Sequence, residues 1–345
     1  MTQAELLKQL LRLTESQREK ITKEILNYVS MNDKLKSTRP VVCPCCNKQA
    51  RFIKRGFTKN HKKQIYQCKE CYHKFVYDSH TVTSQIKISE SEFVEICTDT
   101  LMMVPIKETA TKLRRSRKCV FLNRHKFLSL LESYLNKEKI ELDGTIEFDE
   151  TYILESHKGK VSLNRKARHR GGHSKLRGIS HEQVCVVTST DRNAHEIFKA
   201  VGYAKPTSKI INDTFGKHII EKSVLYTDGL SSYDELAKER NCTIKHLKGY
   251  ETYNKVEHLN TVNCIHSIIK NAIRQYRGIA TKYINRYASL FVFYRRYQES
   301  NQYEIVEHVI KLFKFFFHTV RRDTINNYEI FAWLYGFSTI KPKVG

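Results

Sequence analysis

Hydrophobic positions recur at two different spacings along this chain, and the spacing changes at Gly144. Between residues 88 and 140 they recur every three or four residues, which predicts three short helices joined by tight connections. Beyond Gly144 the stretch TIEFDETYI (145–153) reads as a strand. Further strands are predicted at 182–190, 195–203, 223–229 and 243–248, with helices near 207–219, near 231–240 and from about 258 onwards. This order predicts a mixed α/β domain.

The N-terminal part has a different pattern. Residues 1–38 carry apolar residues at helical spacing and predict an amphipathic helix for packing or dimerisation. Residues 39–86 combine cysteine pairs, short alternating strands and basic turns. The predicted segments are an amphipathic helix over 1–38, a cysteine-containing ribbon over 39–86, a helical, helix-turn-helix-like region over 87–140, an α/β domain over 141–299 with a basic insertion at 156–180, and C-terminal helices over 300–345.

The charge of the chain narrows the class of partner. The formal net charge is +24 and the pI is near 9.6, which favours a polyanion, with nucleic acid ahead of an anionic membrane. No stretch approaches the ~18 apolar residues of a spanning helix, because even 305–320 is interrupted by Glu307 and Lys311. No secretory signal is recognisable, so the ten cysteines are expected in a reducing, cytoplasmic compartment, where metal binding is favoured over disulfides.

Four cysteines have the spacing of a zinc site. Cys43 and Cys46 form one C-x-x-C pair, and Cys68 and Cys71 form a second. Two such knuckles supply four thiolates to a tetrahedral Zn²⁺ that would stabilise a small domain. Cys45 is the competing ligand in the first pair, but the symmetric spacing of the two pairs favours Cys43 and Cys46. Residues 43–75 hold nine Lys/Arg and one acid, so the ribbon is expected to contact DNA; a purely structural brace is the alternative.

The segment that follows the ribbon is also strongly basic. Residues 112–126 hold seven Lys/Arg and no acid. We interpret residues 116–131 as a recognition helix for a major groove, with Arg117, Lys118 and Arg124 as candidate DNA contacts. The alternative is a helical linker whose charges are solvated.

Acidic residues concentrate in TIEFDETYI despite the basic surroundings. Alternation along a strand puts Glu147 and Asp149 on one face and Glu150 on the other. Asp149 needs either an ion pair or a bound cation in such a setting. Asp228 ends a second apolar strand directly before Gly229, a position where sites are built in open α/β sheets. If the two strands are neighbours, the two aspartates can share divalent cations.

The helix predicted from about residue 258 carries a third set of polar residues. Asn263, His266 and Lys270 are spaced by three and then four, which places them on one helix face. A packing helix does not need this row, so we interpret it as part of a site. A solvated stripe is the alternative.

These segments together resemble a known protein family. The chain is similar to the DDE-type transposases of the insertion-sequence family numbered 1595, also described as ISXO-like, in a variant with Asn at the third position. The resemblance covers roughly residues 43 to 297. It rests on the order and spacing of CPCC…CKEC, GTIEFDETYI, LYTDGLSSY, and HLNTVNCIHSIIKNAIR followed by INRYASLFVFYRRY.

The resemblance implies an RNase H-like catalytic core that uses Mg²⁺ or Mn²⁺. It implies that Asp149 bridges two cations and that Asp228 and Asn263 each complete one coordination shell. Asn offers a neutral oxygen where the wider group has Glu, so Glu257 is kept as a fallback carboxylate. Lys270 is expected to hold a phosphate, and His266 to assist proton transfer or contact DNA.

The basic insertion fits the same interpretation. Residues 156–180 hold eight Lys/Arg, three His and no acid, and are expected to form an arm that orders on DNA. A disordered loop is the alternative. The candidate DNA contacts in this arm are Lys158, Lys160, Arg165, Lys166, Arg168, Arg170, Lys175 and Arg177.

The expected activity is therefore that of a transposase with structural Zn²⁺. The expected partners are the double-stranded ends of its element and target DNA, and pairing of two ends implies a homodimer or larger assembly. Two rival functions stay open at this stage. One is a non-catalytic DNA-binding regulator, and the other is an RNase H-like nuclease without strand transfer.

Overall fold

The computed structural model describes most of the chain. The described residues are 14, 40, 42–59, 63–76, 81–84, 86–159, 172–247, 257–297, 302–316, 318–328 and 330. The helix predicted over 1–38 and the middle of the basic insertion lie outside them. Two compact units are formed, one by Met1–Thr98 with Ser300–Thr319 and the other by Asp99–Glu299 with Val320–Gly345. Within the described part of the chain, no helix has the length and apolar character needed to cross a bilayer.

The strands and helices follow the predicted order. The strands are β1 (Phe52–Phe57), β2 (Gln64–Cys68), β3 (Lys74–Val76), β4 (Thr145–Leu154), β5 (Gln183–Asp191), β6 (Glu196–Tyr203), β7 (Val224–Thr227) and β8 (Thr243–His246). The helices are α1 (Glu90–Leu101), α2 (Ile106–Lys112), α3 (Arg117–Lys137), α4 (Ser208–Phe215), α5 (Ser232–Glu239), α6 (Asn260–Gln275), α7 (Ile284–Arg296), α8 (Gln302–Phe315) and α9 (Arg322–Asn326).

The first unit contains a small antiparallel sheet in the order β1-β2-β3. Among the residues that the structure describes, the buried core of this sheet consists of two cysteines and two aromatic residues, Cys43, Cys68, Tyr66 and Phe75, with a few half-buried neighbours. So small a core does not stabilise a fold alone, and a metal is the usual supplement. This agrees with the predicted zinc ribbon.

The second unit is built on a five-stranded mixed sheet in the order β6-β5-β4-β7-β8. β4 pairs antiparallel with β5 and β5 with β6, whereas β7 lies parallel to β4 and β8 parallel to β7. Three antiparallel strands followed by two parallel strands, with helices on both faces, is the RNase H-like arrangement. The predicted fold class is confirmed.

Alternate residues of the central strand β4 meet different helices. Ile146 and Phe148 are fully buried in the main core, where the Phe148 ring packs edge-on against Phe215 of α4, with the ring centroids 5.5 Å apart. The opposite face of β4 and β5 is covered by α6, whose buried residues include Val262 and Ile265. Glu147 and Asp149 lie on this second face, as the alternation predicts.

The basic helical region belongs to the same unit as this sheet. Ser116 is the N-cap of α3, and its hydroxyl accepts a hydrogen bond from the backbone N–H of Cys119 at 3.2 Å. The helix packs against α7 through a buried face that includes Phe127 and Leu131. α3 follows α2 after a short connection, and the helix-turn-helix-like role of this region stays a prediction.

Candidate metal and DNA site

The register between β4 and β7 brings the two candidate aspartates together. Glu147 of β4 is the parallel partner of Tyr226 of β7. Asp149 and Asp228 each lie two residues further along, so continuing the register sets them side by side at the end of β7. The nearest carboxylate oxygens of Asp149, Asp228 and Glu150 all lie within 4.8 Å of one another. Three oxygen donors at this spacing fit a hard divalent cation.

Glu150 is the member of this group that the sequence analysis did not assign. Strand alternation puts it on the opposite face of β4 from Asp149, yet its longer side chain reaches the same cluster. The Tyr233 hydroxyl of α5 donates a hydrogen bond to Glu150 Oε1. The sequence signal for a role of Glu150 is its position next to Asp149, but strand alternation argues against a shared site because adjacent residues face opposite sides.

The electrostatics of the cluster favour a cation. Burial raises the pKa of Glu150 from its ordinary 4.5 to about 7, and the Asp228 and Asp149 carboxylates add to the effect. Burial also raises the pKa of Asp228, again assisted by Asp149. Carboxylates that repel one another in a partly buried site are held in their charged form when a divalent cation binds between them.

Helix α6 brings a histidine onto the same aspartate. His266 is 4% exposed; its Nδ1 lies 3.3 Å from Asp149 Oδ2, and its Nε2 lies 2.9 Å from the hydroxyl of Thr188. Thr188 is the antiparallel partner of Asp149 on β5. His266 therefore contacts both Asp149 and its cross-strand partner Thr188, and it orients the Asp149 carboxylate towards α6.

Asn263 and Lys270 flank this histidine on the same helix. Both side chains are exposed, one turn before and one turn after His266. Of the predicted row of three residues, His266 is the one that contacts Asp149. Glu257, the fallback carboxylate, instead forms an ion pair with Lys245 of β8.

The four ribbon cysteines form a second group with metal-ligand geometry. Their Sγ atoms lie within 4.8 Å of one another, with Cys43 to Cys71 at 3.6 Å and Cys46 to Cys68 at 4.0 Å. Zn–S bonds of about 2.3 Å in a tetrahedron require S–S separations of about 3.8 Å. The backbone N–H of Cys45 donates to Cys43 Sγ at 3.4 Å, and the Cys45 side chain is exposed and outside the group.

Two of the predicted DNA contacts on α3 are exposed, and one is not. Arg117 and Lys118 lie exposed in its first turn. Arg124 is 1% exposed, donates to the carbonyl of Val104 at 2.7 Å and lies over the ring of Tyr276. A DNA contact from Arg124 is therefore wrong in this structure, because its guanidinium is used inside the fold.

The basic insertion is described only at its two ends. Lys158 is exposed, and its Nζ donates to the carbonyls of Arg277 and Gly278 at 2.8 and 2.7 Å, just beyond the C-terminal end of α6. Its contact with DNA stays a prediction. Lys175 and Arg177 are exposed, as predicted for DNA contacts. The remaining candidates, Lys160, Arg165, Lys166, Arg168 and Arg170, lie outside the described residues.

Comparisons with known proteins give one family match and several weakly similar solved structures. Residues 141–296 match the family model described as ISXO2-like transposase domain. Among solved structures, a chain of the cryo-EM structure of the simian T-cell lymphotropic virus intasome in complex with PP2A regulatory subunit B56 gamma is 7% identical, with 58% of this chain and 68% of that chain covered and a TM-score of 0.27. A chain of the Mos1 strand transfer complex is 10% identical, with 65% and 75% covered and a TM-score of 0.26. No curated protein sequence matches this chain.

Proposed function

We propose that this chain, whose residues 141–296 match the model of the ISXO2-like transposase domain, binds the ends of its insertion sequence and catalyses Mg²⁺-dependent DNA cleavage and strand transfer. The observation that carries the proposal is the parallel register of β4 and β7, which sets Asp149 and Asp228 side by side with Glu150. The reaction breaks one phosphodiester bond with water to leave a 3′-hydroxyl. That hydroxyl then attacks a phosphodiester of target DNA, forming one bond as another breaks.

The acidic cluster is the proposed cation site. Asp149 and Asp228 would hold divalent cations through their carboxylates, and Asn263 would add a neutral oxygen from α6. Glu150 supplies the third negative charge that Asn263 lacks. Divalent cations held there would supply activation of the attacking oxygen and stabilisation of the leaving oxygen of the phosphodiester.

The polar row of α6 has two further roles in the proposal. His266 orients the Asp149 carboxylate through its 3.3 Å contact and is itself fixed by Thr188. Lys270 lies exposed on the same side and attracts a DNA phosphate as a point charge.

The basic surfaces outside the cluster hold the DNA. The net charge of +24 supports a polyanionic partner. The zinc ribbon and the first turn of α3, with Arg117 and Lys118, are the proposed contacts to the element ends. The insertion, with Lys175 and Arg177, is the proposed contact beside the catalytic cluster. Joining two ends requires at least a homodimer.

A cleavage and joining assay tests the proposal. It uses DNA carrying the element's own flanking ends with Mg²⁺, and compares wild type with Asp149→Ala, Asn263→Ala and the control Asp213→Ala. Asp213 is an exposed acid on α4, so replacing it by Ala removes one negative charge outside the acidic cluster. We expect joined product from wild type and Asp213→Ala only. Cleavage without joining would favour a nuclease, and binding without cleavage would favour a regulator.

A further inference from the structure

A second glutamate of β4, Glu147, lies two residues before Asp149 and is 1% exposed. Its Oε2 accepts the backbone N–H of Val262 at 3.0 Å. Its Oε1 lies 2.5 Å from the Arg192 guanidinium and 3.4 Å from Nδ1 of His258. Every one of these contacts is to α6, to the residues just before it, or to the turn between β5 and β6.

The start of α6 depends on this contact with β4. Leu259 occupies the N-cap position, and its side chain makes no capping hydrogen bond. Val262 is the third residue of the helix and carries one of the amide groups that lack a partner within a helix. A buried carboxylate from another element therefore does what a Ser or Asp N-cap usually does. It also places negative charge at the positive end of the helix dipole.

The spacing of the contacts fixes the helix along the strand. Glu147 meets Val262, and Asp149, two residues on, meets His266, four residues on. Two strand residues advance by about 6.6 Å and four helix residues by about 6 Å, so the two contacts match only if α6 runs alongside β4 in this register. Lys158 then holds the C-terminal end of the same helix.

An apolar stripe alone would not set this register. Val262, Ile265 and Ile269 are buried against the sheet, but apolar contacts have no direction and tolerate small shifts along a helix. Burying a carboxylate is costly unless it is paired and hydrogen-bonded, and a neutral side chain could satisfy one amide group. The charged arrangement of Glu147 with Arg192 adds a fixed anchor to the first turn.

We propose that Glu147 is a positioning residue that sets the register of α6 on β4, and so places Asn263 and His266 against Asp149. This inference rests on the proposed function, because it concerns the same cation site. Glu147 acts through the helix and Arg192 holds its carboxylate, so it is not assigned as a ligand of the cation.

The test compares zinc-loaded wild type with Glu147→Gln and a matched control, Glu196→Gln. Glu196 is also a buried glutamate of the sheet, but it pairs with Arg295 of α7 at 2.6 Å. Three quantities are measured: the Mn²⁺ dissociation constant by electron paramagnetic resonance, hydrogen exchange in the first turn of α6, and the Mg²⁺ concentration that gives half-maximal joining.

We expect Glu147→Gln to weaken Mn²⁺ binding by about tenfold or more, the usual cost of losing a group that orients metal ligands. Loss of the charge pair with Arg192 makes exchange in the first turn of α6 faster and raises the Mg²⁺ requirement, while Glu196→Gln changes none of the three. Equal Mn²⁺ constants for the two variants would overturn the inference.

Two further outcomes are distinguishable. If Glu147→Gln does not fold, Arg192→Gln takes its place, with Arg296→Gln as its control; their side chains are 34% and 33% exposed, and each breaks one ion pair to a glutamate. Normal Mn²⁺ binding by a wild type that never joins DNA would contradict the proposed function and leave the comparison of variants valid. A wild type that binds no Mn²⁺ would overturn both.

Discussion

Replacing Glu150 by Gln changes the charge of the acidic cluster while keeping an acceptor for the Tyr233 hydroxyl. Burial, with the neighbouring Asp228 and Asp149 carboxylates, raises the pKa of Glu150 from 4.5 to about 7 in the metal-free protein. The folded protein therefore keeps a proton that the unfolded chain loses above pH 4.5. The free energy of unfolding of wild type falls as pH rises through this window, relative to a variant that cannot ionise.

The magnitude follows from the pKa change. At about 1.4 kcal/mol per pH unit, the span from 4.5 to about 7 corresponds to about 3 kcal/mol, and partial solvent access reduces it towards about 2 kcal/mol. We expect Glu150→Gln to equal wild type in stability near pH 4.5 and to exceed it by about 2–3 kcal/mol above pH 7. The difference should be flat at higher pH.

Urea unfolding at a series of pH values, with zinc bound and divalent cations chelated, measures this difference. Mg²⁺ should reverse it, because wild type binds the cation more tightly and gains more stability by mass action. In a partner variant, Tyr233→Phe, loss of the hydrogen bond that favours the charged carboxylate should raise the pKa of Glu150 further and extend the window to higher pH. A stability difference between wild type and Glu150→Gln that does not change with pH would refute the reasoning.

Three other predictions concern the ribbon and α3. Cys46→Ser should lower the zinc content per chain and unfold the ribbon, whereas Cys45→Ser, outside the cluster, should keep both, as measured by metal analysis and circular dichroism. Arg124→Ala should lower the free energy of unfolding in urea by about 2–4 kcal/mol, because it removes a buried hydrogen bond and a cation–π contact. Arg117 is exposed, so Arg117→Ala should change the free energy of unfolding by no more than about 0.5 kcal/mol. It should also lower the salt slope of DNA binding by about 1. Ser116→Ala should cost about 1 kcal/mol in the same denaturation experiment, and an unchanged midpoint would contradict its capping role.

Much of the fold follows from local sequence signals. Strand alternation, the Cys-x-x-Cys spacing and the Asp-Gly after β7 identify the elements and direct attention to Asp149 and Asp228. The register that sets these two side by side is a pairing between strands 79 residues apart, and nothing in either strand alone specifies it. From the sequence, the two aspartates can share a cation only if their strands are neighbours. The sheet order shows that β4 and β7 are neighbours.

Three features of the structure could not be predicted from the local pattern, and the reason is the same for each. Arg124 lies in a one-sided basic run, but a count of charges does not distinguish a solvated guanidinium from one packed over Tyr276. Lys158 belongs to an equally basic run and is used to hold the end of α6. Strand alternation places Glu150 on the opposite face of β4 from Asp149, and it does not predict that the long side chain reaches the acidic cluster. All three depend on tertiary contacts that the local pattern does not contain.

The central claim is that the acidic cluster binds the cations that act on the scissile phosphodiester, and a sulfur substitution tests it most directly. The joining reaction is measured with a single non-bridging oxygen of that phosphate replaced by sulfur, which Mg²⁺ binds poorly and Mn²⁺ binds better. We predict that joining is lost with Mg²⁺ and restored with Mn²⁺ in wild type, and that Asp228→Asn abolishes the restoration. Equal joining of both substrates in Mg²⁺, or joining that survives chelation of divalent cations, would contradict the account.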